Sequence, residues 1–145
     1  PPDIFPQLWR KMDELYNNGR LVAPLEVKRE IEKGDDDLVK WIKNKKKMFI
    51  KPNQFQSEKV KEILKDFPFL AKAEETGPNA DPWIIALAIQ EKQNIESQLD
   101  FDKKEVFILT EESKSNPRRI PSVAQKYGIK CVNIIELFRK EGWKF

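Results

Sequence analysis

Three sets of carboxylates stand where a chain could use them for chemistry. Glu26 and Glu30 are four residues apart in a helical pattern, so they share one face. Asp81 stands where a polar loop turns into an apolar helix. Glu111 and Glu112 directly follow the hydrophobic run 105–110. In open α/β sheets, ligand sites form outside the carboxyl ends of the strands. Acids gathered there from separate elements could hold Mg²⁺ or Mn²⁺, because hard divalent ions prefer oxygen ligands. Such an ion can activate a water and offset the charge of a phosphodiester displacement.

Composition removes the main competitors. The chain has 145 residues, no His and one Cys, Cys131. Without His there is no Ser-His-Asp triad, no Cys-His dyad and no imidazole acid or base. One Cys excludes an intramolecular disulfide and the familiar all-protein zinc sites. Cys131 falls in a hydrophobic run and reads as an inert core residue. The length suits a single domain, 1–145. The content, 39% hydrophobic and 35% charged, reads as soluble and cytoplasmic. The longest apolar stretch, Trp83 to Ile89, is far short of a membrane span. A formal net charge of +3 permits nucleic-acid binding without arguing for it.

The basic residues are uneven. Six Lys (40, 43, 45, 46, 47 and 51) and no acid lie between Leu38 and Lys51, a run that reads first as a solvated face. Lys114, Arg118 and Arg119 crowd the loop after the Glu pair, where an RNA phosphate backbone would pass a metal site. Each acid also has a plainer reading. Asp81-Pro82 makes a helix N-cap and first-turn pair. Glu30 reads as a solvated helix residue, and Glu111 and Glu112 as charges that keep a loop soluble.

The elements that must position these residues follow from periodicity and punctuation. Helices are expected over 6–18, from Pro24 to about Lys33, from Leu38 to about Lys47, over 57–67, from Asp81 to about Gln90, over 121–127 and over 134–140. Strands are expected at 105–110 and 129–132, with a further candidate at 48–50 and a strand edge or connector at 20–23. Residues 73–80 read as a loop, and 91–104 as a charged extension or insertion. Helices alternate with short hydrophobic strands and no hairpin signal appears, which predicts α/β with a parallel sheet. The chain opens with a helical pattern and no leading strand, so a further strand is expected upstream of Pro1.

Taken together, Leu21-Val22-Ala23-Pro24 with Glu26 to Ile31, then Asn79-Ala80-Asp81-Pro82 with its apolar helix, then Val106 to Glu112, resemble the PIN-domain nucleases. The closing segments Ile120 to Val123, Tyr127 to Asn133 and Glu141 to Phe145 look like one prokaryotic branch of that superfamily. The resemblance runs over nearly the whole chain. It implies a three-layer α/β/α sandwich around a short, mainly parallel central sheet, and an endoribonuclease dependent on Mg²⁺ or Mn²⁺. Many relatives of this kind are VapC-like toxins of toxin–antitoxin pairs, and many dimerise, so an antitoxin protein and a homodimer are implied partners. Carried over by position, the catalytic and metal-binding acids are Glu30, Asp81 and Glu112. Glu26, Asn79, Thr110 and Glu111 are secondary candidates. Lys114, Arg118 and Arg119 would hold RNA phosphates.

The sequence departs from the PIN pattern twice. The usual opening strand and its Asp are absent, which takes away the middle of the sheet and a central metal ligand. The charged stretch 91–104 exceeds the usual length. The alternative function is therefore a non-catalytic PIN-like module that binds RNA or protein. A DNA nuclease is disfavoured, since no helical arch or duplex-binding motif is present.

Overall fold

The run Asp81–Glu96 forms the longest helix of the computed structural model, which describes residues 5–34, 36–71, 79–98 and 104–144. Ile85, Ala86, Leu87, Ala88 and Ile89 are all buried on it. Consecutive buried positions leave no solvated face, so this helix must be covered from several sides. The elements that cover it follow in chain order.

The first helix, α1 (Pro6–Asn17), leads to strand β1 (Ala23–Pro24) and helix α2 (Leu25–Gly34). Helix α3 (Asp36–Ile42) and a single 3-10 turn, Lys46–Met48, precede β2 (Phe49–Ile50). Helix α4 (Gln54–Asp66) and a second 3-10 turn, Pro68–Ala71, come before the long helix, α5 (Asp81–Glu96). Then follow β3 (Phe107–Leu109), α6 (Ile120–Lys126), β4 (Lys130–Val132) and α7 (Ile134–Glu141). The class is α/β, as expected. Among the described residues the strands form two separate parallel pairs, β1–β2 and β3–β4, where a single sheet is expected. Helix α5 packs against β1 of one pair, β3 of the other, and α4 and α6. One core results, in which Ile63, Ile85, Val123 and Ala124 are fully buried.

Several boundaries differ from those expected. Asn53 caps α4 by accepting from the Gln56 amide at 2.8 Å, so that helix starts before Ser57. Helix α3 ends at Ile42, because Lys45 turns back to its own segment. Its ammonium bonds the Trp41 carbonyl (2.9 Å), pairs with Asp13 (2.9 Å) and lies 4.3 Å from the centre of the Trp41 ring. The Trp41 indole donates to Asp13 (3.0 Å) and its ring meets Trp9 edge-on at 5.0 Å, which ties α3 to α1. Helix α5 continues six residues past Gln90, so the first part of the supposed insertion is helix. Its residues favour helix and half-bury Ile95. Residues 99–103 of that stretch, and 73–78 of the expected loop, lie outside the described residues. Among the described residues no helix is long and apolar enough to cross a membrane.

The end of the chain is closed by local chemistry. Asn133 and Glu136 form a capping box at the start of α7. Gly142 ends the helix at φ 69°, a left-handed conformation that suits glycine. Trp143 then packs on Phe138 with ring centres 5.9 Å apart. Replacing Ile85 with Ala should lower the unfolding free energy by about 3 kcal/mol, through lost transfer energy and a cavity. Asn133→Ala should cost about 1 kcal/mol through loss of the cap. Urea unfolding measures both, and a loss below about 1 kcal/mol at Ile85 would contradict the packing described.

Candidate functional site

Pro24 occupies the last position of β1 and cannot donate to a ladder, so the strand stops and α2 begins at the next residue. That start sets the faces of α2. Glu26, in its first turn, is only 9% exposed and accepts from Arg29 at 3.2 Å through each carboxylate oxygen. Its charge is therefore met within its own helix. Glu30, one turn on, reaches outward to another element. Its Oε1 accepts from the amide of Ala80 at 3.0 Å, across 50 residues of sequence. Ala80 is the N-cap residue of α5 and is fully buried.

The bond from Ala80 puts the Glu30 carboxylate at the mouth of α5, beside Asp81. Asp81 is 9% exposed and stands in the first helical turn, followed by Pro82. It is not the N-cap, as the plainer reading expected; the cap is Ala80, which has no side-chain acceptor to offer. The unpaired amides of a helix start favour negative charge nearby, which lets two acids gather at one end. Asn79 completes the group. Its amide nitrogen donates to the Leu70 carbonyl, while its Oδ1 is buried with no hydrogen-bond partner. A buried acceptor without a partner is costly.

The acids after β3 are placed differently. Thr110 extends the β3–β4 ladder by donating its amide to the Val132 carbonyl at 2.9 Å. Its hydroxyl accepts from the Glu112 amide at 3.1 Å and turns the chain. Glu112 Oε2 then accepts from Ile120, the first residue of α6, at 3.0 Å. Glu111 Oε1 accepts from Ile134, the first residue of α7, at 2.8 Å. Each acid thus satisfies the start of a helix, where the plainer reading gave them only a solubilising role. The signal for this lay in the partners: Arg119 offers no side-chain cap to α6, so an acceptor has to come from elsewhere.

The basic residues beside them are partly engaged. Lys114 bonds Glu136 at 2.5 Å. That bond, with a second from the Asn133 backbone, holds the Glu136 carboxyl below the usual range. The Arg118 guanidinium lies 5.6 Å from the centre of the Phe69 ring. Arg119 is exposed.

The structure brings Glu30, Asn79 and Asp81 together, with Glu26 one turn away. Among the described residues, no three His, Cys, Asp or Glu side chains lie close enough to hold a metal ion between them. The candidate donors around the start of α5 are all oxygens: the carboxylates of Glu30 and Asp81 and the amide carbonyl of Asn79. That set fits Mg²⁺, which keeps several waters and takes only one or two carboxylates from its protein. It also fits Mn²⁺, which accepts the same ligands.

The whole chain, residues 1–145, matches the family described as "Domain of unknown function (DUF4411)", and the protein belongs to that family. No curated protein and no solved structure matches it.

Cys131 lies in β4, beneath the turn that carries Glu112. Burial pushes its thiol from 9.0 up to about 11, against the charge of Lys114, which pulls it down. The stabilisation this implies is complete below pH 9 and is lost as pH rises towards 11, because the unfolded chain ionises the thiol first. Alkylation by iodoacetamide at pH 8 should run about 100-fold slower in the folded protein than in urea. Equal rates would show the thiol to be exposed and β4 to be misplaced.

Proposed function

We propose that this member of the DUF4411 family is a divalent-metal-dependent endoribonuclease with a PIN-like arrangement of its helices and strands. The observation that carries the reading is the hydrogen bond from Ala80 to Glu30, which brings Glu30 across 50 residues to the residue just before Asp81. A solvated helix residue has no need of such a bond. Under this reading Glu30 and Asp81 hold Mg²⁺ or Mn²⁺, with Asn79 Oδ1 as a neutral oxygen beside them. The ion, when bound, would supply a polarised water of lowered pKa and positive charge against the phosphodiester.

The chain's own groups orient and hold. The Ala80 amide fixes one oxygen of Glu30, so that the other would be the one to hold a cation, a use of backbone hydrogen bonding that also tunes a ligand. Glu112 is fixed in the same way by Ile120, but among the described residues it does not form a three-acid group with Glu30 and Asp81, so its part in this reading rests on the resemblance alone. Arg118 and Arg119 would hold the RNA backbone next to it, and Lys114 could join them by leaving Glu136. The toxin role, an antitoxin partner and a homodimer belong to this reading through the resemblance alone.

A second reading has its own support. Glu111 and Glu112 are both spent on helix starts, as expected of a non-catalytic PIN-like module that binds RNA or protein. Cleavage of single-stranded RNA in Mn²⁺ separates the two. Asp81→Asn and Glu30→Gln should each lower the rate at least about 100-fold, as removal of a metal ligand does, while the melting temperature moves by only a few degrees. Undiminished metal-dependent cleavage by Asp81→Asn would overturn the assignment.

A further inference from the structure

An open pocket of about 500 Å³ lies away from the acids, lined by Tyr16, Asn17, Leu21, Val22, Asn44, Lys46 and Lys47 among others. It forms where the end of α1, the connector into β1 and the turn before β2 meet. Strands β1 and β2 run parallel, so Val22 and Lys46–Lys47 stand at their amino ends, whereas α2 with Glu26 and Glu30 follows β1 at its carboxyl end. The pocket is therefore on the opposite end of this strand pair from the candidate metal site.

Its lining is unlike a solvated face. Lys45, in the middle of the basic run, is engaged by Asp13 and Trp41, with its ammonium also 5.8 Å from the centre of the Tyr16 ring. Lys46 and Lys47 stay exposed, with no acid between Leu38 and Lys51 to pair with them. The Lys47 backbone amide donates to the Tyr16 hydroxyl at 3.4 Å, which places the phenol at the rim. Val22 is 38% exposed and, with Leu21, gives an apolar wall. Asn17 and Asn44 add side chains that both donate and accept.

We infer that this pocket binds an unpaired nucleotide of single-stranded RNA. The two ammonium groups suit a phosphate, the carboxamides suit base edges, and the Leu21–Val22 wall with the Tyr16 ring suits the flat face of a base. The volume falls within the roughly 300–1,000 Å³ of small-ligand sites. The inference takes RNA as the ligand from the ribonuclease reading. Its test needs no cleavage, so the two fail separately.

The test is fluorescence anisotropy of a labelled, unstructured oligoribonucleotide of about ten nucleotides, a length that such sites can engage, with EDTA present throughout. Lys46→Ala with Lys47→Ala should weaken binding about tenfold or more and lower the salt slope by about 1.4, the loss of two single-strand phosphate contacts. Lys61→Ala with Lys65→Ala, two exposed lysines on α4, removes the same charge and should weaken it less than about twofold. Val22→Asp, at an exposed position, should weaken binding as much as the first pair. Equal losses from the two lysine pairs would overturn the inference, as would absence of RNA binding by the unaltered chain. Displacement of the RNA by polyglutamate at equal charge would overturn it too, in favour of a face for an acidic protein. If Asp81→Asn still cleaves but Lys46→Ala with Lys47→Ala loses RNA, the metal-ligand role of Asp81 falls and the pocket stands.

Discussion

A helical stretch that is apolar on every side must be covered on every side, and the first half of α5, up to Ile89, imposes that demand on the chain. Helix α4 covers one side, with Ile63 fully buried between them. The two strand pairs and α6 take the others. Burial of Ile85, Ala86 and their neighbours is the main favourable term, at roughly 25 cal/mol per Å² of apolar surface. The polar exceptions are met only in part: Gln56, fully buried, donates to Gln90 on α5 at 2.8 Å, while its own Oε1 is left without a partner. The start of α5 is the one end where polar groups gather, and Glu30, Asn79 and Asp81 are there because backbone amides converge there.

One device recurs across the molecule. An acid from a distant element accepts from the amide that opens a helix: Glu30 at Ala80, Glu112 at Ile120 and Glu111 at Ile134. Each bond satisfies a donor that the helix cannot, and each pins one carboxylate oxygen. The same geometry serves stability and ligand placement. A carboxylate oriented by a backbone amide loses less freedom when it meets a cation. The start of α5 differs from the other two in that the residues flanking the bonded amide are a second acid, Asp81, and Asn79, whose buried Oδ1 has no partner. That difference separates a candidate site from a cap.

Much of this was legible in the sequence. Helices α1, α2, α6 and α7 and strands β3 and β4 follow from periodicity bounded by Pro, Gly and Asn. Asp81 was legible as a residue at the start of a helix, whereas Glu30 lies inside α2 and was singled out through the resemblance. What escaped was anything set by long-range contacts. The role of Glu111 and Glu112 depends on the first amides of α6 and α7, some 8 and 23 residues away, which no local pattern reveals. Helix α3 ends early because Lys45 is drawn to Asp13 and Trp41, so six lysines that look alike divide into one interior residue and five others. Asp81 looked like a cap because of Pro82, but the backbone of Ala80 takes that place.

The account's central claim is that Glu30 and Asp81 form one divalent-cation site at the start of α5. The most direct measurement is the broadening of backbone amide resonances by substoichiometric Mn²⁺, whose unpaired electrons act over a short range. The account predicts that the amides of Glu30, Asn79, Ala80 and Asp81 vanish first, well before those of Glu111 and Glu112. Broadening that begins at Glu111 and Glu112, or that spreads evenly over all exposed acids, would contradict it.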